Sequence, residues 1–159
     1  MNAENIDSEG QLLAPIQIIS QFIKDLSFES PSAPEIFQDL RYASPDIPTS
    51  VDCKAKQLKE NQFEVTVSLH VHSTIGHKSA FIIELEYSAV VLLGKIPEPH
   101  TLPVLLIEVP RQMYPFIREI VADVTVKGGF PPLMLQVIDF KDIYEQKYIK
   151  NKEKLPQNN

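Results

Sequence analysis

From Ile16 to Leu93 the dominant period of this chain is two. Phe63, Val65, Val67, Leu69 and Val71 alternate with Glu64, Thr66, Ser68 and His70, the pattern of a strand with one face buried and the other in water. Phe81, Ile83, Leu85, Tyr87, Ala89 and Val91 repeat it, with Glu84, Glu86 and Ser88 opposite. The stretch from Thr74 to Ser79 between them contains Gly76 and is short enough for a hairpin, so these strands pair antiparallel. A first strand over about Ile16 to Glu29 puts Phe22, Leu26 and Phe28 on one face and Gln21, Asp25, Ser27 and Glu29 on the other, and a weaker one covers about Val51 to Leu58. Between those two, Ser30 to Ser50 holds Pro31, Pro34, Pro45 and Pro48 around Ile36, Phe37, Leu40 and Tyr42. That composition predicts a long crossover, regular for no more than a turn or two.

After Pro97 and Pro99 the period changes. Met113, Phe116, Ile117, Ile120, Val121 and Val124 fall at helical spacing, with Pro110 or Pro115 suited to the first turn and Gly128 or Gly129 to the C-cap. Asp139 is placed to cap a second helix over about Phe140 to Lys150, where Phe140, Ile143, Tyr144 and Tyr148 share a stripe. The expected class is therefore α+β: a four-stranded antiparallel sheet followed by two C-terminal helices. Residues 1–14 and 153–159 read as disordered tails around a single domain over 15–152. A hydrophobic content of 43% is enough for a core without disulfides or metal.

Charge and cysteine content narrow the function classes. A net charge of −6 argues against a nucleic-acid partner, which needs clustered Lys and Arg to displace counterions. The single cysteine, Cys53, has no partner for an internal bridge, and Glu4, Asp7 and Glu9 stand where a secretory leader is basic and then apolar. No apolar run reaches the roughly 20 residues that cross a bilayer. A cytoplasmic location without membrane insertion is expected.

No catalytic, cofactor or metal site is expected either. His70 and His72 share a strand face, with His77 in the adjacent turn; a solvent-facing pair accounts for them better than a zinc site. Ser27 and Ser30 lie near Asp25 and Glu29 but lack a histidine base in recognisable triad context. Gly128-Gly129 runs into Phe130-Pro131-Pro132, which makes it a helix stop and not an anion cradle. Cys53 sits on the apolar side of its strand, where a buried inert thiol is the expected reading.

Two surface features remain. Asp25, Ser27 and Glu29 share one face of the first strand, and Glu84 and Glu86 share the polar face of the last. On one outer sheet face they would make a flat carboxylate patch, either a solvated face partly neutralised by Lys54 and Lys56 or a docking surface for a basic partner. The chain is also rich in apolar residues in proline-broken segments: Phe37, Leu40, Tyr42, Leu102, Val104, Leu105, Leu106, Leu133, Met134 and Leu135. They have two outlets beyond a self-sufficient core, which are subunit association through the main helix and an open groove for other apolar chains.

The run Ile23-Lys24-Asp25-Leu26-Ser27-Phe28-Glu29-Ser30-Pro31-Ser32-Ala33-Pro34, the run Gly128-Gly129-Phe130-Pro131-Pro132-Leu133-Met134-Leu135, and Ile138-Asp139-Phe140 resemble the SecB family of bacterial preprotein-export chaperones. Pro115-Phe116, Arg118-Glu119-Ile120 and Ala122-Asp123 strengthen the resemblance, which extends from about Ile16 to Tyr148. It implies a cytoplasmic, ATP-independent chaperone that holds unfolded preproteins and delivers them to the export motor SecA. It also implies a homotetramer, a dimer of dimers, with the helix around Arg111 to Lys127 and its stripe Met113, Phe116, Ile117, Ile120, Val121 and Val124 between two sheets. By the same resemblance Asp25, Glu29, Ile82 and Glu84, with Glu86 beside them, dock SecA. The resemblance further implies a preprotein groove between the crossover and the second helix, with Phe37, Leu40, Tyr42 and Met134 as expected lining. Two rivals come from other classes: a carrier of a small apolar ligand or lipid, and a hydrolase or isomerase relying on His70, His72 or Asp25. The chain departs from the family pattern at Val126-Lys127, where Arg-Asp is frequent, and at Gln136-Val137, where Asp-Pro is common.

Overall fold

The alternation of the first half folds into a four-stranded antiparallel sheet in the order β1-β4-β3-β2. Its strands are β1 (Ile16–Glu29), β2 (Thr49–Lys59), β3 (Gln62–Ile75) and β4 (Lys78–Leu93). This is a computed structural model, and it describes residues 15–150; the tails expected at 1–14 and 153–159 lie outside them. Directly paired residues share a face, so the register sorts the two sides of the sheet. Val65, Val67, Leu69 and Val71 on β3 oppose Ala89, Tyr87, Leu85 and Ile83 on β4, and all eight are buried. The β2–β3 and β3–β4 hairpins turn through Asn61 (φ 58) and Gly76 (φ 57), and both residue types adopt the left-handed region that such tight connections require.

β1 departs from the expected alternation. The register slips between Ile18 and Ser20 and again between Ile23 and Asp25, each slip leaving one extra residue on β1. Phe22 consequently opposes Ser88 on the outer face while Ile23 opposes Tyr87 on the core face, so Phe22 does not share a side with Leu26 and Phe28 as its parity implied. Gln21 likewise moves to the core side, opposite Ala89. The second bulge also re-aims Lys24, whose ammonium reaches across β4 to Glu64 on β3.

The helical half corrects a second expectation. A short α1 (Ile36–Asp39) interrupts the crossover. The main helix then starts earlier than its apolar stripe: α2 (Glu98–Pro103) runs through a π-helical turn (Val104–Glu108) into α3 (Val109–Lys127). Pro110 lies in the first turn of α3, whereas Pro115 sits inside it and withholds a backbone N–H from the helix ladder. Leu105 and Leu106 are buried in the π turn, so they do not contribute to the apolar excess. The second helix is α4 (Phe140–Tyr144) continued by a π turn (Glu145–Ile149). Asp139 caps it as expected, Oδ1 accepting from the backbone N–H of Lys141 at 3.0 Å and of Asp142 at 3.3 Å.

The end of α3 fixes where the following linker runs. Phe130 N–H donates to the Thr125 carbonyl and Gly129 N–H to the Val126 carbonyl, both at 3.0 Å, with Gly129 left-handed at φ +89. This double closure satisfies carbonyls that a helix end leaves free and folds the chain back on the last turn. Phe130 is thereby driven into an aromatic cluster, with ring centroids 4.9 Å from Phe81, 5.1 Å from Phe37 and 6.3 Å from Phe28. Buried Thr125 holds the linker a second time, its hydroxyl accepting from Leu133 N–H at 3.0 Å. The linker therefore lies on the helix and forms part of the core through Phe130 and Leu135.

Candidate functional site

The outer face of the sheet collects carboxylates because the β1 bulge restores their register before Asp25. Across the four strands one row reads Asp25, Glu86, Ser68, Asp52; the next reads Ser27, Glu84, His70, Ser50; the third sets Glu29 beside Ile82 and His72. Asp25, Glu29, Ile82, Glu84 and Glu86 thus lie on one surface, and a shallow depression of about 330 Å³ is lined by Asp25, Asp52, His70, Glu84 and Glu86. Its compensation is partial: Lys147 stands 2.8 Å from Asp52 at one end, Lys54 stands 3.8 Å from Glu86 and His70 Nδ1 stands 3.5 Å from Glu84. Among the described residues no lysine or arginine pairs with Asp25 or Glu29. Exposed pairs of this kind are worth at most about 1 kcal/mol, so the face keeps a negative potential.

Behind Phe22 the outer face has a different character. Lys24 and Glu64 form an ion pair over Thr66 and Ser88, which are buried and share a 2.8 Å hydrogen bond. Hydrogen bonding from Lys24 is the main reason the Glu64 carboxyl is held below the usual carboxylate range. The acidic strip is therefore bounded on this side by Lys24 and Lys54. His72, on the same face, spends a ring nitrogen on Ser79 Oγ at 2.8 Å, and no three His, Cys, Asp or Glu side chains among the described residues cluster as a metal site would need.

The opposite side of the sheet carries an apolar cavity of about 440 Å³ between the end of the crossover, the linker and α4. Ile47, Val51, Tyr114, Leu135, Ile138 and Ile143 line it, and Tyr114 donates its hydroxyl proton to the Gln136 carbonyl at its rim. None of these was singled out from the sequence as groove lining. Tyr114 lies three residues before Ile117 and seven before Val121, on the buried face of α3, so helical spacing was the usable signal for its inward position.

The four residues expected to line a groove are not brought together. Phe37 is half-buried on Phe130, Leu40 packs partly against the core, and Tyr42 is 89% exposed. Met134, 62% exposed, borders a different cavity of about 610 Å³ on the outward side of α3, beside Pro115, Arg118, Ala122, Val126 and Pro132. The helix stripe also divides. Met113, Ile117 and Val121 are wholly buried against this chain's own sheet, so they offer no surface to a neighbouring subunit. Phe116 (52% exposed) and, in part, Ile120 and Val124 remain available. Helical spacing places all six on one stripe, because it does not separate a face that packs inward from one that packs on a neighbour.

Cys53 lies on the core side of β2 opposite Val67, 3% exposed. Burial, reinforced by the adjacent Asp52 charge and opposed by Lys147, pushes its thiol up to about 12 from an ordinary 9.0. That difference lowers the thiolate fraction at neutral pH about a thousandfold. Alkylation of the native protein at pH 8 is expected to follow unfolding, being fast in urea and negligible without it, as mass spectrometry after timed iodoacetamide exposure will read. Because protonation is favoured in the folded state, this group's contribution to stability is intact below pH 9 and is lost as pH rises toward 12.

No helix among the described residues is long and apolar enough to cross a membrane. Comparison with known proteins agrees with this arrangement of sheet and helices. The family described as Preprotein translocase subunit SecB matches residues 9–151. A protein-export protein SecB of Rhodospirillum rubrum is 48% identical over 134 residues, covering 84% of this chain and 82% of that protein. Another, of Rhizobium meliloti, is 43% identical over 151 residues, covering 94% of this chain and 89% of its own length. Among solved structures, a Mycobacterium tuberculosis SecB-like chaperone in complex with an antitoxin peptide shares the fold, with a TM-score of 0.65 at 18% identity over 78% of this chain and 91% of that one. With most of its length matched at this identity, the chain belongs to the SecB family.

Proposed function

We propose that this protein is an ATP-independent cytoplasmic chaperone which holds unfolded preproteins and passes them to SecA. The observation that carries the reading is the separation of two unlike surfaces by one sheet: the carboxylate strip outside, the apolar cavity inside. An apolar cavity rewards any extended apolar segment by about 25 cal/mol per Å² buried, with little regard for sequence. Folded clients conceal such segments, so binding favours the unfolded state and holds it by mass action. The strip is free to engage a basic surface of SecA while the cavity is occupied. Residues 15–152 act in this as a single domain.

Assembly as a dimer of dimers has two supports. β1 is an edge strand of 14 residues with Ile19 and Ile23 about half exposed, and a long apolar edge of this kind favours pairing with another chain. On the outward side of α3, Phe116, Val126 and Met134 are exposed, and the buried Arg118 Nε finds no acceptor among the described residues. A second copy seated there would cover the apolar surface and supply an acceptor. Several cavities on one tetramer then hold one long client by avidity.

The reading is tested by light scattering coupled to size exclusion, without nucleotide, on the protein alone and with a permanently unfolded polypeptide. The expected result is a particle of about 72 kDa, four times 18.0 kDa, that comigrates with the unfolded chain and ignores its folded form. A monomer indifferent to the unfolded chain would overturn it. Displacement of bound client by a small apolar ligand alone, with no effect of folding state, would favour the carrier reading instead.

A further inference from the structure

One ion pair joins the two surfaces. Lys147, in the π turn that continues α4, reaches over the free edge of β2 and places its ammonium 2.8 and 2.9 Å from the two carboxylate oxygens of Asp52 and 3.1 Å from the Cys53 carbonyl. Asp52 belongs to the acidic row that continues through Ser68 and Glu86 to Asp25, and it lines the acidic depression. Lys147 belongs to the segment whose Ile143 walls the apolar cavity. The edge strand is thus clasped from the cavity side by a charge that neutralises one end of the strip outside.

The clasp has the chemistry of a stable but replaceable contact. Burial of the Lys147 ammonium favours the neutral amine, yet the Asp52 carboxylate and the neighbouring Tyr148 outweigh it and leave the lysine above its ordinary value. The ammonium therefore stays charged throughout the physiological range. Both side chains also keep a path to solvent, with 36% of Lys147 and 57% of Asp52 exposed. A second cation approaching Asp52 along the strip finds its carboxylate accessible, and an ion pair of this exposure holds weakly enough to exchange.

We propose that Lys147 is a positioning residue that couples the two sites: a basic partner on the acidic strip competes with Lys147 for Asp52, loosens α4 from β2, and so weakens the cavity's hold on its client. This rests on the chaperone reading and adds to it a route from docking to release. The coupling is reciprocal, because two ligands that affect one equilibrium must affect each other by the same factor. It also explains why the C-terminal helix is basic on the turn that meets β2, where helix propensity alone places no demand.

The experiment measures both ligands on the full-length protein, with a reduced, carboxymethylated unfolded polypeptide as client and a lysine decamer as the basic probe. In the wild type the decamer is expected to speed client release several-fold, and bound client to weaken the decamer several-fold. In Lys147→Gln the client is expected to leave several-fold faster without decamer. The decamer should bind that variant tighter, because Asp52 is uncovered, and the mutual effect should vanish. Lys147→Arg should keep the coupling. A general loosening of the fold would speed release without tightening the decamer, so the two readouts separate the clasp from a merely structural role. Equal coupling in wild type and Lys147→Gln, or none in the wild type, would overturn the clasp while leaving client binding intact. A wild type that retains no unfolded chain overturns the chaperone reading, and the clasp with it.

Discussion

Replacing Phe130 with alanine is expected to cost about 3–5 kcal/mol, as truncating a large buried aromatic does. The ring is 5% exposed and meets three others, Phe28, Phe37 and Phe81, within 6.3 Å. Those partners come from β1, the crossover and β4, so one side chain ties the end of α3 to three separate elements. Packed aromatic pairs add to the area they bury, and truncation leaves a void among three rings held by separate elements. Urea denaturation followed by far-ultraviolet circular dichroism should show the midpoint fall steeply. Tyr42→Ala, at a side chain 89% exposed, should move it by no more than about 0.5 kcal/mol. A Phe130→Ala midpoint close to wild type would mean that the linker does not depend on this cluster.

The same cluster marks how far the sequence alone can be read. Strands β3 and β4 were legible because burial on one face imposes a period of two, and the facing of every residue from Val65 to Val71 follows it, although Thr66 on the outer face is covered as well. β1 was legible as a strand but not in its facing. A bulge needs only one unpaired residue, and neither Ile19 nor Lys24 differs in kind from its neighbours, so nothing in composition announces the slip that puts Phe22 outside. The main helix was legible from Met113 onward, where its inward stripe begins. Pro103, Pro110 and Pro115 hid its first turns, because proline reads as a break when the π turn that accommodates it leaves no mark of its own.

The candidate surfaces divide along the same line. Acidic positions at alternate residues of two strands are a local pattern, and adjacent pairing of β1 with β4 was enough to bring Asp25, Glu29, Glu84 and Glu86 onto one face. The apolar cavity is not local. It forms where Ile47, Tyr114, Leu135 and Ile143, drawn from four segments, happen to meet. Spacing within any one segment carries no trace of that meeting, whereas Phe37 and Met134 stood out from the sequence because each lies in a proline-broken run. Prominence in sequence and position in a cavity are set by different physics, the first by local chain stiffness and the second by long-range packing.

Neutralising the strip through Asp25→Asn, Glu29→Gln and Glu84→Gln together is expected to weaken SecA binding about 10- to 100-fold while leaving retention of unfolded polypeptide unchanged. The reasoning starts from geometry: these three stand in three successive rows of the outer face, and none has a lysine or arginine partner among the described residues. Removing their charge therefore breaks no ion pair with either residue type, and the fold should hold with little change in stability. The net charge moves only from −6 to −3, since each of the three changes removes one negative charge, so the protein stays clear of its neutral point. Charge on an open face acts mainly by steering encounter, so the loss should lie chiefly in the association rate and should shrink as salt is raised. Surface plasmon resonance at two ionic strengths measures this directly. Unaltered SecA binding at low salt would show that the strip is only a solvated face, and that the partner docks elsewhere. Loss of client retention in the same variant would show instead that the two sides of the sheet are not independent even without a bound partner, which the Lys147–Asp52 clasp, untouched by these substitutions, does not predict.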